Sequence, residues 1–103
     1  MKDGSLIHNI NVLCQKFCKY HYDKYLEKNN IQKLNNDEIE PVVDEMITKE
    51  KELELKIYIR KSLKSMYKES YNSFSVENIF TEIFEDRREI IKRVVLEIKQ
   101  HQK

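Results

Sequence analysis

Glycine and proline are almost absent from this chain: each occurs once in 103 residues, at Gly4 and at Pro41. Because tight turns between strands depend on these residue types, the sequence offers little material for a sheet of short strands. Apolar residues recur instead at steps of three and four, which is the period of an amphipathic helix. The sequence therefore predicts an all-α fold.

The length suits a single domain around one hydrophobic core. We expect four or five amphipathic helices, the first of them long, in one domain over residues 1–103 with frayed ends at 1–4 and 100–103. No stretch reaches the ~20 apolar residues that span a bilayer, and no apolar run follows a basic start as in a signal peptide. We expect an intracellular protein that does not associate with membranes.

Local signals place the first helix boundaries. Helical spacing of apolar residues over 5–28 predicts the long first helix, and Asn29 and Asn30 tolerate the left-handed backbone that ends helices. A short polar connection follows. The acidic run at 37–40 resembles a capping box, and Pro41 suits the first turn of a second helix, where a missing backbone N–H does least damage.

The segment 53–59 alternates apolar and polar residues, which taken alone is typical of a strand. No second alternating run exists with which such a strand could pair its backbone groups. We therefore expect a helix over 53–68. Its inward face is predicted to contain Leu55, Ile59, Leu63 and Met66.

Residues 74–79 have the pattern of another helix start. We expect Ser75 to cap this helix, with Phe74 packing on Ile79 as a hydrophobic staple. A usable apolar stripe continues to Ile98 without glycine or proline. The charged residues at its middle predict a bend or break at 84–86.

Charge is arranged in blocks along the chain, although the formal net charge is only +1. The segment 35–54 is strongly acidic, whereas 55–70 and 87–103 are basic. We expect these blocks to form ion pairs between helices or to face solvent. The small net charge also lacks the basic excess on which non-specific phosphate binding normally depends.

Cys14, Cys18 and His21 lie at helical spacing, so one helix face could point all three at a metal ion. A structural zinc site normally takes four ligands, and the sequence provides no second ligand pair. A helical spacing of four also disfavours a disulfide. We expect reduced, metal-free cysteines in a reducing compartment, and no cofactor.

No catalytic motif is present, because the chain lacks a phosphate-binding loop, a nucleophile elbow and a paired-histidine zinc motif. Cys18 and His21 could form a nucleophile pair, but no third residue is available to orient them. We expect a protein that is not an enzyme.

A basic and aromatic surface is the basis of an alternative function. Tyr20, Tyr22 and Tyr25 alternate with Lys19 and Lys24, so the rings could stack on bases while the lysines contact phosphates. A second basic patch contains Arg87, Arg88, Lys92 and Arg93. The alternative is a small helical protein that binds nucleic acid through these residues.

Residues 74–83, which read FSVENIFTEI, resemble the short V-T-V-D-D-L-V-x-E-I helix of the enhancer-of-yellow transcription and mRNA-export factors. The segment 52–66 resembles the Lys-rich central helix of that family, 39–47 the helix before it, and 88–99 its terminal helix. The family's Gly-Trp step is absent, since Lys51 and Glu52 stand there. The resemblance implies a small all-helical nuclear subunit that wraps around a long partner helix in histone-deubiquitinating coactivator and mRNA-export complexes.

The wide apolar stripe of the first helix favours the same kind of function, because it offers more apolar surface than a small bundle readily buries alone. We expect a non-enzymatic interaction module that captures a partner helix or a second copy of itself. The residues predicted to line its groove are Phe17, Tyr25, Leu55, Ile59, Leu63, Ile79 and Ile83.

Overall fold

The computed structural model describes residues 3–101 and has the predicted all-α fold, with no strand in that part of the chain. Three single 3₁₀ turns connect or extend the helices, at Asn36–Glu38, Lys68–Ser70 and Phe84–Asp86. The five α-helices are α1 (Asp3–Lys28), α2 (Ile39–Met46), α3 (Lys49–Tyr67), α4 (Ser73–Ile83) and α5 (Arg87–His101).

The helical ends reach almost to the limits of the chain. Asp3 and Gly4 belong to α1, and Gln100 and His101 belong to α5; fraying at these positions stays a prediction. The remaining positions of that prediction, 1–2 and 102–103, lie outside the described residues.

The α1 helix ends in a left-handed turn, as the Asn29–Asn30 pair predicted. Asn30 has φ 55°, in the left-handed region. Its backbone N–H donates to the carbonyl of Glu27 at 3.2 Å, and the N–H of Ile31 donates to the carbonyl of Leu26 at 3.0 Å. These two bonds make a Schellman motif, which satisfies carbonyls at the helix end and turns the chain toward α2.

The α3 helix begins four residues earlier than predicted. The Thr48 hydroxyl accepts a hydrogen bond from the Lys51 N–H at 3.2 Å and caps the helix. The polar residues just before Leu53 are therefore the first turn of α3. The alternating segment 53–59 is helical rather than a strand. Leu55 and Ile59 face the core, whereas Leu53 and Ile57 are exposed.

Two predicted inward contacts are wrong. Met66 is exposed rather than inward, because it lies in the last turn of α3, just before Lys68 leaves the helix with φ 53°. Phe74 is 75% exposed and makes no staple with Ile79. Phe74 is exposed because α4 begins earlier in the chain than the sequence predicted.

Asn72, and not Ser75, caps α4. The Asn72 side-chain oxygen accepts from the Ser75 N–H at 3.0 Å, so the helix begins at Ser73. This start places Phe74 inside the first turn on the solvent side. The break predicted at 84–86 is confirmed as a 3₁₀ turn, in which buried Phe84 packs on Phe80 with ring centroids 5.7 Å apart.

All five helices contribute to one core, and α1 lies against both α3 and α5. No buried side-chain nitrogen or oxygen within 3–101 lacks a hydrogen-bond partner. No helix in the described part of the chain is long and apolar enough to cross a membrane. The most deeply buried side chains are Ile10, Cys18, Tyr22, Leu34, Val42, Val43, Ile59, Leu63, Val76, Phe80 and Val95.

Part of the acidic block 35–54 forms ion pairs with basic α5, which is one of the two outcomes expected for these charges. Arg88 donates to Asp44 at 2.6 Å and to Glu40, and Lys92 lies 2.8 Å from the same Glu40 carboxylate. Arg87 is 3.2 Å from Glu52. The contacts of Arg88 and Lys92 hold α2 against α5, and that of Arg87 joins α5 to α3.

Candidate functional site

A groove with a volume of about 830 Å³ lies between α1 and α5. We call it the α1/α5 groove. The residues that line it are Val12, Gln15, Lys16, Lys19, Tyr22, Val94, Glu97, Ile98, Gln100 and His101.

The α1/α5 groove has an apolar floor and a polar rim. Val94 and Tyr22 are buried at its base, and Val12 and Ile98 are half-buried beside them. The remaining lining residues are all polar and exposed. One of them, Lys19, is held by Asp23 one turn further along α1 at 2.8 Å. Apolar centres ringed by polar side chains are typical of protein interaction sites.

Tyr22 anchors the floor of the groove to the rest of the fold. Its side chain is almost completely buried, and its phenol hydrogen bonds with the backbone of Leu34 in the connection between α1 and α2. Burial raises the pKa of Tyr22 above its ordinary value, although the bond to Leu34 opposes that shift. The phenol is therefore neutral and the floor uncharged near neutral pH.

The structure does not bring the predicted partner residues together on an open surface. Leu55, Ile59 and Leu63 form the inward face of α3 and are buried in this chain's own core, as is Ile79 of α4. The other three are half-buried beside the core: Phe17, Tyr25 and Ile83. None of the seven lines the α1/α5 groove.

The sequence did not reveal the α1/α5 groove, although Lys19, Tyr22 and Ile98 of its lining were named for other roles. Val12 falls outside the main apolar stripe of α1. Ile98 belongs to the apolar stripe of the last helix, but the stripe alone does not show whether another helix covers it. The available signal was the width of the α1 stripe, which indicated uncovered apolar surface but not its position.

The two cysteines belong to the core. Cys14 and Cys18 are both free and buried, and their side chains hydrogen bond to each other. That bond and burial together raise the pKa of Cys18. His21 is instead half-buried and packs on Phe17, with ring centroids 4.4 Å apart and the ring planes tilted by 55°. No group of three metal-ligating side chains converges within residues 3–101.

The basic and aromatic surface is smaller than the sequence predicted. Tyr22 is buried and cannot stack on a base, whereas Tyr20 is exposed with the Lys24 ammonium 5.5 Å from its ring. Three of the four cations in the second patch, Arg87, Arg88 and Lys92, are ion-paired with acidic residues.

A second, smaller cavity of about 120 Å³ lies between α1, α2 and the start of α3. We call it the basic pocket. Burial lowers the pKa of His21 on its wall, and the nearby Lys51 and Lys24 lower it further against the opposing effect of Glu54. The pocket is lined by His21, Lys24, Tyr25, Lys28, Val42, Glu45, Met46 and Lys51.

Comparisons with protein-family models, with curated proteins and with solved structures find no match to this chain.

Proposed function

We propose that this chain is a non-enzymatic interaction module that captures one amphipathic helix of a partner protein in the α1/α5 groove. The observation that carries the proposal is the groove itself: a large concavity whose floor is apolar and whose rim is polar. Helix-in-groove recognition uses this combination, because apolar side chains at every third or fourth position of the ligand fill the floor.

The size of the groove fits such a ligand. Its lining residues on α1 extend from Val12 to Tyr22, and on α5 from Val94 to His101. At 1.5 Å per residue, the α1 wall is about 15 Å long, which corresponds to roughly three turns of a partner helix. A ligand of that length presents about three or four apolar side chains on one face.

The resemblance of residues 74–83 to enhancer-of-yellow factors supports a more specific form of the proposal. In that form, the chain is a nuclear subunit of a transcription coactivator or mRNA-export complex, and the captured helix belongs to another subunit. The proposed contact differs from the sequence-based one, because the α3 residues predicted for it are occupied by the core.

Selection from a displayed library of helical peptides tests helix capture. Peptides selected on the wild-type chain should carry apolar residues three and four positions apart and should perturb the NMR signals of Val12 and Val94. Replacing half-buried Ile98 with Asp places a charge on the floor, and we expect at least tenfold weaker binding, equivalent to about 1.4 kcal/mol.

Leu96→Asp is the matched control. Leu96 is on the same helix and exposed, but it does not line the groove. Leu96→Asp should bind the selected peptides as the wild type does, and circular dichroism should show unchanged helicity in both variants. Equal binding to the wild type and a folded Ile98→Asp protein, or peptide-induced NMR changes away from α1 and α5, would contradict the proposal.

A further inference from the structure

The connection between α3 and α4 contains a backbone conformation that its residue does not favour. Lys68 has φ 53° and ψ −118°. These angles belong to the first central position of a type II′ turn, where glycine is preferred because a Cβ is crowded there. Asn30, the other positive-φ residue within 3–101, is of a type that tolerates its left-handed conformation. The connection after α3 is therefore strained at Lys68.

Residues 68–72, which we call the α3/α4 hinge, can become helical. Neither glycine nor proline occurs after Pro41, so no helix breaker separates α3 from α4. Extending α3 through the hinge removes the strain at Lys68, because that residue then has helical dihedral angles. The extension also removes the Asn72 cap and carries α4 and α5 away from the core. An open chain of this form leaves the core without two of its helices.

A continuous helix aligns apolar side chains across the hinge. Counted from Leu63, the positions three, four and eleven residues further along share one helical face. They are occupied by Met66, Tyr67 and Phe74. In the single chain, Met66 is 53% exposed and Phe74 is 75% exposed. Two open chains present the same stripe to each other, so both side chains can be buried between them.

We propose that two copies of this chain exchange α4 and α5 and form a domain-swapped dimer, in which the hinge is helical and α3 is continuous with α4. A second copy is the occupant because it supplies the α4 and α5 that fit the open core. Every core contact is rebuilt between the chains, so the monomer and the dimer differ only at the hinge. There the dimer loses the Asn72 cap, but it relieves Lys68 and buries Phe74.

One ion pair between α3 and α4 reports on the exchange. The Arg60 guanidinium donates to both carboxylate oxygens of Glu77, at 2.7 and 3.0 Å, and lies 5.4 Å from the Phe80 ring. In the monomer both charges belong to one chain. In the swapped dimer, Arg60 of each chain pairs with Glu77 of the other.

The α1/α5 groove is kept in the dimer. Its two walls then come from different chains, because α5 moves with α4 while α1 stays in place. A swapped dimer therefore has two such grooves. The exchange does not depend on what the groove binds, so it can hold or fail independently of helix capture.

Charge reversal tests the exchange. Arg60→Glu and Glu77→Arg each place like charges together within one chain. When the two variants are mixed in mild urea and returned to buffer, only a swapped heterodimer restores both ion pairs. Sedimentation equilibrium should show about tenfold tighter dimerisation in the mixture than in either variant alone. A chain carrying both reversals is the matched control, since it keeps the pair in every form and should dimerise as the wild type does.

Hinge substitutions test the strain and the apolar stripe separately. Lys68→Gly relieves the monomer and should weaken dimerisation about tenfold, whereas Asn30→Gly at the other positive-φ position should not change it. Phe74→Asp should also weaken the dimer. Leu53→Asp is its control, because Leu53 is exposed on α3 but about 22 Å from Lys68 along the helix.

The wild type should show a concentration-dependent equilibrium between monomer and dimer. A wild-type chain that stays monomeric at millimolar concentration after the urea step would overturn the proposal. So would a mixture of reversal variants that dimerises no more tightly than each variant alone, because the dimer would then be an association of intact monomers.

Discussion

Arg88 of α5 donates a hydrogen bond to Asp44 of α2 at 2.6 Å, and the same guanidinium also binds Glu40. One arginine therefore bridges two successive turns of the acidic helix. Lys92, one turn further along α5, shares the Glu40 carboxylate. This cluster is on the surface, so its strength depends on pH and salt.

Acid should weaken the attachment of α5. Hydrogen bonds from Lys92 and Arg88 hold the pKa of Glu40 below its ordinary value. Because the folded pKa is lowered, this stabilisation is complete above the unfolded pKa of about 4.3 and is lost as pH falls through the lower folded value. Urea unfolding at pH 7 and below pH 4 should show a larger loss in the wild type than in Glu40→Gln.

Salt provides the control for that experiment. At pH 7, about 1 M sodium chloride shortens the screening length to about 3 Å and should reduce the stability difference between the wild type and Glu40→Gln. A difference that does not change with pH or salt would contradict the assignment of the cluster as an ionic attachment.

Substitutions on opposite faces of α3 should have opposite outcomes. Ile59 is fully buried, so Ile59→Asp buries an unpaired charge and should destabilise the domain by several kcal/mol or unfold it. Leu53 is 57% exposed, and Leu53→Asp should change the free energy of unfolding by less than about 0.5 kcal/mol. Circular dichroism during urea unfolding measures both. A folded, stable Ile59→Asp protein would show that the inward face of α3 is assigned incorrectly.

Two residues, Asn72 and Ser75, should differ in their effect on stability, because only Asn72 caps α4. Asn72→Ala removes the side-chain acceptor for the Ser75 N–H and should cost about 1 kcal/mol of stability. Ser75→Ala should cost clearly less, because the Ser75 side chain does not cap the helix. Thermal or urea unfolding of the two variants gives the comparison, and the reverse order of stabilities would favour the start predicted from sequence.

The cysteines should be inert in the folded protein. Cys14 and Cys18 are buried, so neither thiol is accessible to a reagent in solvent, although the interaction between them lowers the pKa of Cys14 while it raises that of Cys18. A thiol-specific reagent should modify two thiols rapidly in denaturant and much more slowly in native buffer.

Metal removal should leave stability unchanged. A structural metal site contributes folding free energy, so a chelator would lower the melting temperature if one were present. We expect no change with the chelator and no stoichiometric zinc by elemental analysis. Zinc at one equivalent, with loss of folding on chelation, would contradict this prediction.

Signals confined to a few consecutive residues predicted the fold well. The left-handed turn at Asn30 and the break at 84–86 follow from local backbone preferences, which act wherever the chain is placed. Net charge per segment identified the acidic and basic blocks, but left open whether they pair or face solvent, because that depends on which helices are adjacent. The errors at Met66 and Phe74 arose at helix boundaries, because the residue at which a helix ends or begins decides which of its side chains face solvent.

The sequence by itself determined the helical class, the long first helix and the apolar stripe of each helix. The tertiary structure decided which parts of those stripes are covered. Periodicity identifies the apolar face of a helix, but exposure depends on how many neighbours pack against it. Ile59 is therefore buried in the core. Val12 and Ile98 line an open groove, because α1 and α5 leave space between them there.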